Sequence, residues 1–167
     1  SIFRLQEISE NECWRKSKPL IFIDKDPKIY CLENNVELIT EINLEKWKIK
    51  QAIPKLNAEI DGKNNPLELG LYDLIDFNKG CYLGQEMMAR LNKISALKQE
   101  IRFCSVTLSK QEFEFNETKI YTSKDKKTLT GYITRILSLN AKEVVGLVMI
   151  KKNYLEETNS FFNEDLG

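Results

Sequence analysis

A short run around one cysteine constrains the fold of this chain more than any other stretch. The run is Lys79-Gly80-Cys81-Tyr82-Leu83-Gly84-Gln85-Glu86, and it continues as Met87-Met88-Ala89-Arg90-Leu91. Glycines at positions 80 and 84 allow backbone angles that side chains forbid, whereas the residues from 85 to 91 are all good helix formers. The run therefore predicts a tight loop that leads directly into a helix.

This loop places Cys81 just before a helix N-terminus. Unpaired amide groups and the positive end of the helix dipole favour an anion there, and the ammonium group of Lys79 adds to that effect. We therefore expect the Cys81 thiolate to form more readily than in a free cysteine, which makes Cys81 and Lys79 the candidate catalytic residues. The structural alternative is a small buried cysteine beside two glycines that only make a turn.

Composition excludes several classes of protein. The acidic and basic residues are equal in number, which argues against a surface that binds nucleic acid as a whole. The absence of histidine excludes imidazole bases, Ser-His-Asp and Cys-His catalysis, and histidine metal ligands. The cysteines match neither zinc spacing nor a secreted disulfide framework; they are Cys13, Cys31, Cys81 and Cys104. With no visible signal peptide or membrane span, we expect a cytoplasmic monomer without membrane or direct nucleic-acid partners.

The first part of the chain predicts a mixture of strand and helix. Residues 20–23 are typical of a buried strand, and Lys28–Leu32 is either a second strand or the start of a helix. From Asn43 onward apolar residues recur at helical spacing, so we expect Asn43 to be the N-cap and Pro54 to end the helix. Residues 61–66 predict a turn. Glu68 follows this turn, either as a pocket carboxylate or, in the interpretation we favour, as a solvated one.

The second part of the chain predicts an antiparallel sheet or a small barrel. Four segments are rich in strand formers, and polar turns separate the last three: 101–108, 119–122, 129–137 and 143–150. Residues 153–167 are expected to form a last strand or a partly disordered end. The expected fold is therefore α+β, with a mixed α/β portion at 1–98 that contains the cysteine run and a C-terminal antiparallel β-barrel at 99–167.

The cysteine run also resembles a family signature. Lys79-Gly80-Cys81-Tyr82-x-Gly84-Gln85-Glu86, followed by Ala89-Arg90, is similar to the signature of the YgfZ-like folate-binding proteins, which are relatives of the aminomethyltransferase (T-protein) of the glycine cleavage system. Weaker likeness extends over about residues 24–152, through Lys48–Pro54, Pro66–Leu71, Thr130–Thr134 and Val145–Val148.

The resemblance implies a tetrahydrofolate-linked accessory role in assembling or maintaining iron-sulfur clusters, including those of tRNA-modifying enzymes. In that role Cys81 would be the reactive thiol, and Lys79 would favour its thiolate. The other motif residues would shape the loop, hold it in place or meet a partner; they are Gly80, Tyr82, Gly84, Gln85, Glu86 and Arg90. The candidate cofactor-binding residues are Glu68 and Lys48. The expected partners are folate and iron-sulfur proteins. Because one loop cysteine cannot supply the four thiolates of a usual cluster site, we expect no tightly bound cluster in this chain.

Two other functions remain open. One is folate-dependent aminomethyl transfer, as in the T-protein, whose catalytic acid lies in an N-terminal half that nothing in this sequence matches. The other is a non-catalytic module that docks an iron-sulfur or tRNA-modifying partner through the cysteine run. Because that half is not matched, we expect the chain to be either a C-terminal fragment or a shortened member.

Overall fold

The computed structural model combines helices with one antiparallel sheet. It describes residues 3–6, 26–93, 97–108, 118–122, 127–155, 161–163 and 166. In chain order, the elements in these ranges are β1 (Phe3–Gln6), α1 (Pro27–Asn34), α2 (Glu41–Lys50), α3 (Gln85–Lys93), β2 (Gln99–Thr107), β3 (Lys119–Tyr121), β4 (Leu129–Ser138) and β5 (Glu143–Lys151). Short 3₁₀ turns span Tyr72–Leu74 and Lys152–Tyr154. This mixture agrees with the predicted α+β class.

The strands form one antiparallel sheet in the order β1-β2-β5-β4-β3. The four segments predicted as strands are β2 to β5, and each is confirmed. Strand β1 pairs with β2, with Phe3 opposite Val106, so the start of the chain joins the sheet built by its second part. Within the described residues β1 and β3 are the outermost strands and do not pair with each other. Closure into a barrel therefore stays a prediction, as does the division of the chain near residue 98.

The central strand β5 is buried on both of its faces. Every residue from Val144 to Ile150 is buried. Because successive side chains of a strand point to opposite faces, Val148 packs into one core with Cys104, whereas Leu147 packs into a second core with Ile49 of α2. Strand β5 thus separates two hydrophobic cores, and α2 covers one of them.

Helix α2 begins earlier than its sequence pattern predicts. Its N-cap is Thr40, whose Oγ1 accepts a hydrogen bond from the Asn43 backbone N–H at 3.2 Å. The prediction of Asn43 as N-cap is wrong, because Thr40 has the extended backbone that a cap requires and lies one turn earlier. The helix ends at Lys50, ahead of Pro54, and none of the described helices is long and apolar enough to cross a membrane.

The structure decides between the alternatives that the sequence left for residues 28–32 and for the C-terminal tail. The segment Lys28–Leu32 lies in α1, which Asp26 caps by accepting from the Lys28 backbone N–H at 2.9 Å. In the tail, Phe162 forms an isolated antiparallel bridge with Tyr121 of β3, so the described part of the tail extends the sheet. The strand predicted at 20–23 lies outside the described residues.

Candidate functional site

Hydrogen bonds hold the cysteine loop, residues 76–84, at both of its ends. Asp76 Oδ1 accepts from the backbone N–H groups of Asn78 at 2.8 Å and of Lys79 at 3.2 Å. Such a contact from an aspartate to the residues that follow it stabilises a turn. At the other end, Gln85 Nε2 donates to the Lys79 carbonyl oxygen at 3.4 Å. The first residue of α3 therefore helps to set the shape of the loop before it.

Gly84 makes the turn from the loop into α3. Its φ is +86°, and its carbonyl oxygen accepts a hydrogen bond from the Met88 N–H at 3.0 Å. A side chain would strain this backbone, so the prediction for Gly84 is confirmed. The matching prediction for Gly80 is wrong: its φ is not positive, and a Cβ there would meet nothing within 4 Å. The Asp76 side chain turns the chain at that end, where no left-handed residue is needed.

One face of helix α3 packs into the fold and anchors the cysteine loop. Met88 is buried and packs with Leu67 and Leu97 in a third hydrophobic core. One residue earlier, Met87 is 57% exposed, and Leu83 in the loop is completely exposed. The loop is therefore attached firmly to the fold while it presents apolar side chains to the outside.

Cys81 is exposed, and the residues beside it form a cation–π contact. Lys79 Nζ lies 4.7 Å from the centroid of the Tyr82 ring, a geometry that attracts the cation to the ring face. The Tyr82 hydroxyl is buried and has no hydrogen-bond partner among the described residues. Cys31 is half-buried and Cys104 is buried, and burial raises the pKa of the Cys104 thiol to about 12. Among the described cysteines, Cys81 is thus the one most open to reaction.

Two further residues of the cysteine motif, Glu86 and Arg90, pair with each other on the outer surface of α3. Arg90 Nη2 lies 3.7 Å from Glu86 Oε1, and both side chains are largely exposed. An ion pair this exposed adds at most about 1 kcal/mol of stability. Both residues can therefore exchange their partner for another charged group at little cost.

A groove of about 540 Å³ lies between α2 and β4. Its apolar lining residues are Leu44, Ile49, Ile136 and Leu137. Its charged lining residues carry both signs; they are Glu41, Glu45, Lys48, Lys55 and Arg135. None of these lining residues belongs to the cysteine loop, so the groove and the loop are separate candidate sites.

A network around Arg135, which the sequence pattern did not indicate, supports this groove. Arg135 Nη2 donates to the Ile53 carbonyl oxygen at 2.6 Å and lies 3.5 Å from Glu59 Oε2. Its Nη1 lies 3.4 Å from Glu45 Oε2. Glu59 is fully buried, and Thr134 Oγ1 donates to its Oε1 at 2.7 Å. The pairing register of β4 shifts at Thr134, and such a bulge re-aims side chains. Arg135 is the one charged residue of β4, and this was the available signal.

The cations around Glu45 keep its carboxylate ionised. Burial alone raises its pKa, but the hydrogen bond and charge of Lys48, with the charges of Lys55 and Arg135, outweigh burial and hold the pKa of Glu45 below its ordinary value. Lys48 Nζ lies 3.2 Å from Glu45 Oε1. Part of the positive charge of the groove is therefore neutralised by Glu45.

The two candidate cofactor-binding residues do not lie in one site. Glu68 is buried, its Oε2 accepts from the Asn65 N–H at 3.3 Å, and its carbonyl oxygen accepts from the Ile101 N–H at 2.9 Å. The solvated interpretation of Glu68 is wrong, because the turn at 61–66 folds this residue against β2. Lys48 lines the groove and Glu68 does not.

The chain is similar to several curated proteins, although no protein-family model matches it. It is 38% identical over 108 residues to a chloroplastic protein of Arabidopsis thaliana whose name describes it provisionally as a transferase, a match that covers 65% of this chain and 24% of that protein. It is 36% identical over 102 residues to the tRNA-modifying protein YgfZ of Colwellia psychrerythraea, covering 58% of this chain and 31% of YgfZ. An uncharacterized protein of Haemophilus influenzae is 27% identical over 154 residues, or 87% of this chain and 54% of that protein.

Similarity to a protein named YgfZ agrees with the resemblance of the cysteine run. A second YgfZ, from Aliivibrio fischeri, is 35% identical over 69 residues. The chain spans between about a quarter and about half of the length of these relatives. What the complete relatives do is therefore a property of longer proteins.

Proposed function

We propose that this chain is the cysteine-bearing part of a YgfZ-like protein that supports tRNA modification. It would do so as a tetrahydrofolate-linked accessory protein that assembles or maintains iron-sulfur clusters of client enzymes. The observation that favours this function is the exposed thiol of Cys81 in a loop held by Asp76 and Gln85. The similarity to two tRNA-modifying YgfZ proteins supports the choice of client.

In this proposal the reactive group is the Cys81 thiol. It is exposed in a loop whose turns are held by side chains, so it can meet a macromolecular client without rearrangement of the fold. Lys79 is held against the Tyr82 ring in the same loop and remains the proposed partner of the thiol. Cys104, with its pKa raised by burial, is an unsuitable nucleophile in the folded protein.

The groove beside α2 is the proposed place for tetrahydrofolate. The apolar residues that line it suit a ring system, and its lining lysines, Lys48 and Lys55, suit the carboxylates of the glutamate portion. Glu68 does not fit this role, because it lies outside the lining and its carboxylate accepts a backbone hydrogen bond from Asn65. The proposed folate contact therefore rests on Lys48.

Complementation tests the role of the thiol. Cells that lack the protein would receive the complete natural protein as wild type, Cys81→Ser or Cys104→Ser, and the activity of an iron-sulfur enzyme and the modified nucleosides of tRNA would be measured. We expect cells with Cys81→Ser to lose both the enzyme activity and the modified nucleosides, although this variant folds normally. Cells with Cys104→Ser should retain both. Full rescue by Cys81→Ser would exclude thiol chemistry from the function.

A titration with tetrahydrofolate tests the groove. Trp47 is 43% exposed and precedes Lys48, so its fluorescence can report binding. We expect saturable binding by the complete natural protein, about tenfold weaker in Lys48→Ala because one charge-assisted contact is lost. Lys50→Ala is the matched control, since Lys50 lies on the same helix outside the lining. Equal affinities for all three proteins would remove the groove from the proposal.

The complete exposure of Leu83 favours a second candidate, the docking module without chemistry. Burying an exposed leucine side chain in an apolar pocket of a partner protein is favourable, because it removes apolar surface from water. In that case Leu83→Ser would abolish capture of the iron-sulfur client, whereas Cys81→Ser would not. A pull-down of the client and the complementation assay would measure both variants, and the reverse pattern would favour thiol chemistry.

A further inference from the structure

The segment from Lys28 to Asn43 adds no side chain to the described hydrophobic cores. Every side chain in it is exposed or half-buried, and none belongs to the three core clusters. The segment is nevertheless rich in large apolar residues that are more than half exposed: Ile29, Leu32, Val36, Leu38, Ile39 and Ile42. Monomeric proteins rarely expose apolar patches of more than a few hundred Å². These six residues, which we call the apolar segment, therefore point to an interface.

The apolar segment is built on ordered local structure. Helix α1 is capped at both ends, by Asp26 and by the left-handed Asn35, whose N–H donates to the Cys31 carbonyl oxygen. Ile29 and Leu32, three residues apart, are neighbours on one face of this helix, and Leu32 is 84% exposed. A helix of only 8 residues is unstable by itself in water and depends on packing. Among the described residues, this helix has no packing partner for its apolar face.

The charged residues of the apolar segment indicate what kind of surface its partner has. Glu33, Glu37 and Glu41 are interleaved with the apolar residues and are exposed. A matching surface would be apolar at its centre with basic residues at its edge. A second copy of the chain fits poorly, because a twofold contact sets a patch against itself and would bring these carboxylates together.

The lengths of the relatives indicate where such a partner comes from. The Haemophilus influenzae protein matches 87% of this chain but only 54% of its own length, and the match to Colwellia psychrerythraea YgfZ covers 31% of that protein. The relatives thus contain a large portion of polypeptide outside the shared stretch. We propose that the apolar segment is the interface with a folded portion of this kind in the same polypeptide, which presents an apolar surface with a basic edge.

Photo-crosslinking in the complete natural protein tests this interface. A benzophenone amino acid would replace Leu32 or Ile42, and irradiated protein would be digested and analysed by mass spectrometry. We expect both positions to crosslink to peptides of the same polypeptide that lie outside residues 1–167. The control position, Lys50, is exposed on α2 beyond the apolar segment and should give no such peptide.

Each other result would overturn the proposal. Crosslinks confined to residues 1–167 of the same molecule would show that the chain covers its own apolar segment. Crosslinks to the same segment of a second molecule would show a homodimer, and crosslinks to another protein would show an external partner. Absence of crosslinks, or a natural polypeptide without residues outside 1–167, would also overturn it.

A second measurement tests this interface independently of the proposed function of Cys81. The double variant Leu32→Ser/Ile42→Ser of the complete natural protein should be cleaved by a protease roughly fivefold faster outside residues 1–167, since that portion loses its contact. The alkylation rate of Cys81 should be unchanged. Lys46→Ser, also on α2, is the control. Cleavage at the wild-type rate in the double variant would contradict the interface and leave the proposed function of Cys81 untouched.

Discussion

The sheet and the apolar segment use the same kinds of residue in opposite ways. In β5 every side chain from Val144 to Ile150 is buried between two cores. Between Ile29 and Ile42 six large apolar side chains are more than half exposed. The difference shows that apolar content alone does not place a segment in a core. Strand β5 has neighbours on both sides and both faces, whereas the apolar segment has no comparable packing within the described residues.

The cysteine loop lies between these two extremes. Met88 anchors α3 in a core, while Leu83 and the Cys81 thiol remain outside. A loop of this kind keeps its shape without help from a partner and still offers a reactive group and an apolar contact.

The largest expected effect is on the stability of the sheet. Leu147→Ala removes a fully buried side chain from β5 and should lower the free energy of unfolding by about 4 kcal/mol. In the 167-residue chain by itself, Leu32→Ala, at an 84% exposed position, should change it by less than about 0.5 kcal/mol. Urea denaturation measures both. Similar losses in the two variants would mean that the apolar segment is as tightly packed as the sheet.

A second large effect is expected from the buried ion pair between the sheet and the loop beside α2. Arg135→Met leaves the carboxylate of Glu59, which is fully buried, without its cation. The expected loss in the free energy of unfolding is about 3 kcal/mol. The double variant Arg135→Met/Glu59→Gln should recover a large part of it, because no unpaired charge remains. A double variant as unstable as the single one would show that packing, and not charge, is the source of the loss.

The cysteines extend the comparison to reactivity. Under native conditions Cys81 should react with iodoacetamide at least about a hundredfold faster than Cys104, which is buried in the sheet and must wait for local opening. Mass mapping of adducts against time measures both rates, and the half-buried Cys31 should fall between them. In urea the difference should disappear. Equal rates in the native protein would show that the loop does not present its thiol.

A smaller effect is expected within the cysteine loop itself. Gly84→Ala must hold a side chain at φ +86° and should lower the free energy of unfolding by about 1 kcal/mol. Gly80→Ala should be close to neutral, since its backbone is not left-handed and a Cβ would meet nothing within 4 Å. Equal losses of stability in the two variants would show that the left-handed backbone at Gly84 is not a source of strain.

The smallest effect concerns pH. The pKa of Glu45 is held below its ordinary value by Lys48, Lys55 and Arg135, so its ionised form stabilises the fold above about pH 4.3. This contribution should be lost as the pH falls through the folded-state pKa. Because Glu45 is partly exposed, it amounts to less than about 1 kcal/mol. The stability gap between wild type and Glu45→Gln should shrink from pH 7 to pH 3.

Local patterns in the sequence were sufficient for several elements. The alternating segments predicted β2 to β5, and the change from glycines to helix formers predicted a loop that enters α3. Residue type also predicted the left-handed turn at Gly84, because glycine adopts that backbone most readily, although the same reasoning failed at Gly80. These features depend on residues that are close together in the chain, where propensity and spacing act directly.

Contacts between distant residues decided the rest. Only the tertiary structure shows that Arg135 reaches Glu59, that Glu68 is buried against β2, and that Lys48 therefore lies in a different site from Glu68. Burial depends on which surface folds over a side chain, and nothing within a few residues of Glu68 specifies that surface. For the same reason the sequence of the apolar segment specifies its apolar residues but leaves strand and helix both open over Lys28–Leu32. What covers these residues depends on packing with groups that lie far away in the chain.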